Sequence, residues 1–241
     1  VIGSAELFGI VLPENFKRPF FSKSISEFWT RWHITLGTWF RDYIFYPISM
    51  SKPMKRLTSK ARKKIGNHFG PLIAGSIALF VVWLFNGLWH GAGWHYICFG
   101  MYHFVLIASA NAVEPYTKKL LEKLHIRREE GGYKCFRIVR TALLVCIGEL
   151  IFRAGSLRIA MRMLKKMFTD FNFRSFTDGT LLNLGMDKYD FLIVAVSVLI
   201  VLVISIANER GICIRQKLAE KKVVVRWAVV YGLILFCIIF G

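Results

Sequence analysis

Acidic residues are scarce in this sequence, which contains 15 Asp and Glu against 33 Lys and Arg and has a formal net charge of +18. A strong positive charge can indicate nucleic-acid binding. Here, however, the basic residues flank long apolar runs, a pattern typical of the cytoplasmic loops and headgroup contacts of membrane proteins. Because 55% of the residues are hydrophobic and occur in blocks, the sequence predicts a membrane-embedded protein with no nucleic-acid partner.

Motifs that would carry metal or serine chemistry are missing as well. The five cysteines form no CxxC pair, and neither HExxH nor GxSxG occurs. His90 and His95 are five residues apart, which is a poor spacing for two ligands on one helix face, and the next acidic residue is Glu114. We therefore expect neither a metal site nor a disulfide framework.

Long apolar segments are what the sequence does contain. Each of five segments has about 17 to 19 residues, enough to cross the hydrocarbon layer as a helix. They cover residues 71–89, 94–112, 137–153, 190–207 and 223–241. The predicted fold is therefore an all-α, polytopic transmembrane protein.

Two further segments extend this topology. Residues 1–13 resemble the end of one more span, and residues 51–68, with seven Lys and Arg and no acid, predict a cytoplasmic loop. Because the sequence begins and ends inside apolar phrases, we expect it to be the C-terminal part of a longer membrane protein, clipped at its own end.

Residues 24–45 form an unusually aromatic segment. Ser24 and Glu27 have capping-box spacing, so a helix is predicted to begin at Ser24 and to run to about Tyr43. Glu27 and Arg31, four residues apart, can form an ion pair on its polar face. The other face is apolar, with His33 at its edge, but the whole is too polar to span lipid alone. We interpret the segment as a re-entrant or interfacial helix.

The phrase "LFNGLWHGAGWH" combines polar residues with a helix break at membrane depth. Asn86 and His90 are four residues apart and share a helix face, and Gly91 and Gly93 can end the helix just after them. Irregular backbone in a membrane requires burial or a cavity, so a pocket with His90 as general base is one interpretation. The other is a buried structural histidine, with the glycines serving helix packing.

The two remaining histidines of this region receive a structural interpretation. His95 and His103 lie at the ends of a short aromatic span. Histidine there fits an interfacial role.

Two long phrases resemble the membrane-bound O-acyltransferase (MBOAT) family. They are "SISEFWTRWHITLGTWFRDYIFYPI" at 24–48 and "NGLWHGAGWHYICFGMYHFVLI" at 86–107, supported by "LPENFKRPFFSKS" at 12–24 and "ELIFRAGSLRIAMRMLKKM" at 149–167. The similarity is best to the bacterial branch of alginate O-acetyltransferase and the D-alanyl transfer protein of lipoteichoic acid.

The resemblance implies a helical fold around a tunnel. It also implies that the N-terminal half of a typical family member is missing from this sequence. It assigns His90 as the catalytic histidine and His33 as the second functional one. The expected tunnel or pocket residues are Trp32, Trp89, Asn86, Arg41 and Asp42. Asn86 departs from the small or apolar residues common in this branch.

The resemblance also implies an activity. We expect an O-acyltransferase of the plasma or inner membrane, without a bound cofactor, that uses acetyl-CoA or an acyl carrier protein as thioester donor. The acetyl group would go to hydroxyls of an extracytoplasmic polysaccharide, with an extracytoplasmic partner acyltransferase as a further option. D-alanyl transfer to teichoic acid is the alternative. A transporter or flippase for envelope precursors is the rival from another class, because intramembrane polar residues and broken helices suit it too.

Overall fold

The computed structural model describes residues 2–240, and these residues fold into helices joined by short connections. The helices are α1 (Ile2–Leu7), α2 (Ile25–Arg31), α3 (Ile34–Phe40), α4 (Tyr46–Ser49), α5 (Lys52–His90), α6 (Trp94–Lys123), α7 (Gly131–Arg153), α8 (Leu157–Thr169), α9 (Lys188–Glu209), α10 (Ile214–Ala219) and α11 (Val223–Phe240). Short 3₁₀ turns occur at Pro19–Phe21, Phe173–Phe176 and Thr180–Leu184, and a π-helical turn follows α3. Within the described range, the one β-type contact is an isolated bridge between Phe16 and Trp32.

Three helices are long and apolar enough to cross a membrane, namely α5, α6 and α9. α11 is apolar over the shorter stretch Val223–Ile239. Within residues 2–240, helices therefore cover all five segments predicted as spans. α7, which contains residues 137–153, is long enough with 23 residues but is not among the candidate spans, because charged residues such as Arg137, Arg140 and Glu149 interrupt its apolar sequence. Residue 1 of the predicted 1–13 segment and residue 241 of the last span lie outside the described residues. The protein is an all-α membrane protein.

The chain divides into two compact units, Val1–Thr169 and Asp170–Gly241. In the second unit, Asp187 begins α9 as a reciprocal capping box. Its carboxylate accepts hydrogen bonds from the backbone N–H groups of Tyr189 and Asp190, and the Asp190 carboxylate accepts one from the Asp187 N–H. Three backbone N–H groups at the helix start are thereby satisfied. All the candidate site residues belong to the first unit.

In the first unit, α2 packs against the long helices. Ile25 and Phe28 of α2 form one apolar cluster with Trp83 of α5, Ile107 of α6 and Val145 of α7. Each of these side chains is buried, with exposed fractions between 1% and 7%. The aromatic segment is therefore held by its apolar face against three other helices.

One prediction about the N-terminal third stays a prediction, and another is wrong. The end of a span in residues 1–13 is not tested by α1, which ends at Leu7 before Gly9 adopts a φ of 72°. The basic run 51–68 is not a loop, because α5 begins at Lys52 with Ser51 as its N-cap. Lysine and arginine are good helix formers, so a basic run beside a span can remain helical.

α5 changes direction at Gly66, where φ is 86° and ψ is 176°. After this kink the two parts of α5 lie so close that a Cβ atom on Gly70 would be 2.5 Å from the Arg62 backbone. Only glycine permits that approach, so Gly66 and Gly70 together explain how the basic part of α5 folds back against the apolar part.

The single helix predicted from Ser24 is also wrong, although its start is confirmed. The Ser24 hydroxyl accepts a hydrogen bond from the Glu27 N–H at 3.1 Å, and Glu27 pairs with Arg31 at 2.7 Å. The Glu27 carboxylate accepts from the Lys23 N–H, not from that of Ser24, so the capping box is incomplete. α2 then ends at Arg31, well before Tyr43.

Candidate active site

A break in the aromatic segment places His33 between two helices. Trp32 is extended, with φ −111° and ψ 128°, and His33 is left-handed, with φ 52° and ψ 51°. The segment continues as α3, as a π-helical turn over Arg41–Phe45 and as α4. The left-handed conformation is uncommon for a residue other than glycine, so the surrounding contacts must hold His33 in it.

The preceding chain satisfies the backbone groups at this break. The Ile34 N–H donates to the Asn15 carbonyl at 3.1 Å, and the Lys17 N–H donates to the Arg31 carbonyl at 2.8 Å. The Asn15 side-chain oxygen accepts from both the N–H and the hydroxyl of Thr35, at 2.9 and 2.7 Å. Unpaired backbone groups are costly at membrane depth, so these contacts make the irregular conformation tolerable.

His90 lies at the second break, as the last residue of α5. Gly91 ends the helix with a φ of 146°, and α6 begins at Trp94. The His90 ring is surrounded by aromatic side chains, with centroid distances of 4.6 Å to Trp89, 4.8 Å to Phe152 and 6.1 Å to Phe99. The half-buried His90 ring therefore packs against aromatic rings from three helices.

Trp89 connects the two histidines. Its ring lies 5.7 Å from the His33 ring, nearly perpendicular to it, and 4.6 Å from the His90 ring. The structure thus brings two histidines that lie far apart in the sequence to the same tryptophan. A base and a hydrogen-bond donor at one locus are what an acyl transfer needs.

A cavity of 420 Å³ lies beside His33, within the volume range of ligand sites. Of the residues predicted for a tunnel or pocket, Trp32, Asn86 and Arg41 line it, together with His33. His90, Trp89 and Asp42 are not among its lining residues.

Asp42 instead pairs with Arg41. The Arg41 Nε atom donates to the Asp42 carboxylate at 2.8 Å, and both side chains are exposed. This hydrogen bond lowers the pKa of the Asp42 carboxyl group below its ordinary value and raises that of Arg41. In residues 2–240, no three His, Cys, Asp or Glu side chains are grouped so that they could hold a metal ion.

His103 is the residue that the sequence interpretation placed wrongly. Its side chain is fully buried among other side chains in the middle of α6, whereas a side chain with an interfacial role would be exposed at the protein surface. Its Nδ1 atom accepts a hydrogen bond from the Trp29 indole N–H at 3.3 Å, and its ring stacks on Trp83 at 5.3 Å. The signal that could have revealed this burial is the spacing of Phe99, His103 and Ile107, which share one helix face and are all buried.

Replacing Trp29 by phenylalanine tests this contact. The change removes the indole N–H that donates to His103 Nδ1 and leaves a buried ring nitrogen without that partner, so we expect a loss of about 1–3 kcal/mol of stability. The measurement is the melting temperature of the purified full-length protein. The control is Trp39→Phe, because Trp39 is 51% exposed. Equal melting temperatures for the two variants would contradict the prediction.

Comparison with known proteins relates the chain to named acyltransferases. The chain is 36% identical to the probable alginate O-acetylase AlgI of Pseudomonas syringae over 168 residues, which is 70% of this chain and 27% of the relative. It is 33% identical to the probable alginate O-acetylase AlgI of Azotobacter vinelandii over 209 residues, which is 87% of this chain and 35% of the relative. It is 38% identical to the teichoic acid D-alanyltransferase of Bacillus subtilis over 118 residues, 49% of this chain and 27% of the relative.

The chain thus spans between 27% and 35% of the length of these curated relatives. No protein-family model matches it. Fold and site define an all-α membrane protein in which two helix breaks bring a pair of histidines to one tryptophan. The chain belongs to the membrane-bound O-acyltransferase family, whose members named above include an alginate O-acetylase and a teichoic acid D-alanyltransferase.

Proposed function

We propose that this protein is an O-acyltransferase that transfers an acetyl group from a thioester donor to hydroxyl groups of an extracytoplasmic envelope polysaccharide. The observation that carries the proposal is the convergence of His33 and His90 on Trp89 at two helix breaks. The similarity to alginate O-acetylases supports the acetyl group and the polysaccharide acceptor. The acceptor could be reached directly or through an extracytoplasmic partner acyltransferase.

In the proposed reaction, His90 accepts the proton of an acceptor hydroxyl while its oxygen attacks the thioester carbonyl carbon. The oxyanion that forms needs hydrogen-bond donors, and the imidazole of His33 and the indole N–H of Trp89, the residue that both histidines contact, can serve. When the C–S bond breaks, protonated His90 returns its proton to the leaving thiolate. The products are an ester and a free thiol, and no other reactant is needed.

The proposed orientation rests on the basic part of α5. Its seven Lys and Arg residues precede the apolar part of the helix, and no acid lies among them. The positive-inside rule places such a segment on the cytoplasmic side of the plasma or inner membrane. The thioester donor, either acetyl-CoA or an acyl carrier protein, would approach from that side, where positive charge favours its phosphates or an acidic carrier.

D-alanyl transfer to teichoic acid is the second candidate, because the chain is 38% identical to a teichoic acid D-alanyltransferase over 118 residues. The two reactions share the same base and differ in the acyl group and the polymer. Their chemistry at the histidines is therefore the same.

The test of the function is the identity of base-labile esters on envelope polymers, isolated from cells with the full-length gene and from cells in which it is deleted. Loss of acetate on deletion supports the first proposal, and loss of D-alanine supports the second. If every ester persists and an envelope precursor is instead missing outside the membrane, the transporter alternative replaces both.

His33 can be tested without disturbing its backbone. Asparagine tolerates the left-handed conformation of residue 33, so His33→Asn removes the imidazole and keeps the break. We expect transfer to fall by about 10²–10³-fold, as for the loss of an oxyanion donor. Ester content must be compared at matched protein levels. If only the amount of protein falls, His33 has a structural role.

A further inference from the structure

Asn86 presents a polar group that the rest of the described chain leaves unsatisfied. It lies in the apolar part of α5, is 7% exposed and lines the cavity beside His33. Its Oδ1 atom is buried and has no hydrogen-bond partner among residues 2–240. A buried amide oxygen without a partner is costly, so a group that donates a hydrogen bond is expected to occupy the cavity.

The cavity restricts what that group can belong to. Three tryptophans, Trp29, Trp32 and Trp83, line it together with aliphatic side chains such as Leu79. The other polar side chains of the lining, Ser26, Thr30, His33, Thr38 and Arg41, all come from the aromatic segment, so Asn86 is the one amide on a side of α5 and α6 otherwise formed by Leu79, Val82, Trp83 and Ile107. That side suits a slender, mostly aliphatic ligand with one amide and not a sugar chain, whose hydroxyls would each need a partner. The hydroxyl of Thr30 is already bonded to the Glu27 carbonyl at 2.8 Å.

The position of Asn86 along α5 determines how far along the helix it lies from His90, the proposed base. It lies four residues before His90, and four residues of α-helix rise by about 6 Å. In a 2-amidoethyl thioester, the amide nitrogen is four bonds from the acyl carbon, a reach of about 5 Å when extended. An amide held at Asn86 would therefore bring the thioester carbonyl to the level of His90.

We propose that Asn86 recognises the acyl donor by accepting a hydrogen bond from the amide N–H nearest the thioester sulfur. The inference rests on the proposed acyl transfer. It names the donor by its chemistry, a 2-amidoethyl thioester, which acyl-CoA and acyl carrier proteins share. Asn86 is then a specificity-determining residue, and the side-chain carbonyl supplies an acceptor that leucine or alanine lacks.

The experiment compares two small donors on membranes that contain the full-length protein. One is S-acetyl-N-acetylcysteamine, and the other is its ketone analogue, in which a CH2 group replaces the amide N–H. For the wild type, we expect kcat/KM to favour the amide by about tenfold, the effect of one hydrogen bond. Asn86→Leu should bring the ratio close to one, and Asn86→Ala serves if the leucine variant is poorly folded.

The matched control is Leu79→Ala, which alters the same cavity without removing a polar group. It should affect both donors equally and keep the tenfold ratio. A ratio that Asn86→Leu leaves unchanged overturns the inference but not the acyl transfer. Acetyl-CoA and an acetyl-loaded carrier, measured alongside, distinguish the two natural sources of the amide.

A binding measurement separates the inference from the function. If the wild type transfers no acyl group from any donor, the proposed function fails, and binding of CoA to the purified full-length protein is measured. Weaker binding to Asn86→Leu than to Leu79→Ala, by about tenfold, would keep Asn86 as an amide-recognition residue. Equal binding to both variants would overturn the inference as well.

Discussion

Replacing His90 by alanine is expected to abolish acyl transfer while the protein still inserts and folds. Removal of a general base typically costs about 10²–10⁴-fold in rate, the largest effect expected for any side chain of this site. The packing cost should be local, because the imidazole contacts Trp89, Phe99 and Phe152 at the rim of the helix bundle and is only half-buried. The measurement is base-labile ester on envelope polymers at matched protein levels.

A second substitution separates chemistry from packing at this position. His90→Gln keeps a polar side chain of similar reach but cannot act as a base near neutral pH, so it should be as inactive as His90→Ala. The control is His125→Asn, since His125 is exposed in a connection and asparagine tolerates its φ of 54°. Normal ester content in either His90 variant would show that His90 is not the base.

Replacing Gly100 by valine is expected to prevent the folded protein from forming. A Cβ atom at this position would lie 2.2 Å from the carbonyl oxygen of Trp83, and the reciprocal contact at Gly87 is similarly close, 2.6 Å from the Tyr96 carbonyl oxygen. These two glycines let α5 and α6 cross in contact, as small residues do in membrane helices. The Trp83 carbonyl group cannot rotate away as a side chain can. The substitution should therefore destabilise the folded protein by at least about 3 kcal/mol.

Gly75→Val is the matched control because it introduces the same side chain into the same apolar part of α5. A Cβ atom on Gly75 meets nothing within 4 Å. We expect wild-type yield and melting temperature for Gly75→Val, and a low yield of monodisperse full-length protein for Gly100→Val. Comparable yields would mean that α5 and α6 do not pack through Gly100.

Local signals in the sequence predicted the helices more reliably than their contacts. The all-α membrane class follows from composition and apolar blocks, and the start of α2 follows from the capping serine at Ser24. The break after His90 follows from Gly91, whose φ of 146° favours glycine. In each case the cause lies within a few residues of its effect.

The break at His33 had no such local cause. Its sequence is a good amphipathic helix, and the prediction of one helix failed because distant backbone competes with the helical hydrogen bonds. Asn15 and Lys17 pair with Ile34 and Arg31, and Phe16 packs on Trp32 with ring centroids 4.9 Å apart. Tertiary contacts of this kind override helix propensity, which amounts to less than about 1 kcal/mol per residue for most residues.

The sequence by itself determined the class of the protein, the location of its apolar helices and the two histidines that its family resemblance implies. Only the tertiary structure decided which groups meet: Trp89 between His33 and His90, the bond from Trp29 to His103 across 74 positions, and the unpartnered Asn86 oxygen in a cavity. The physical reason is that composition and periodicity act within one helix, whereas these contacts depend on how separate helices pack.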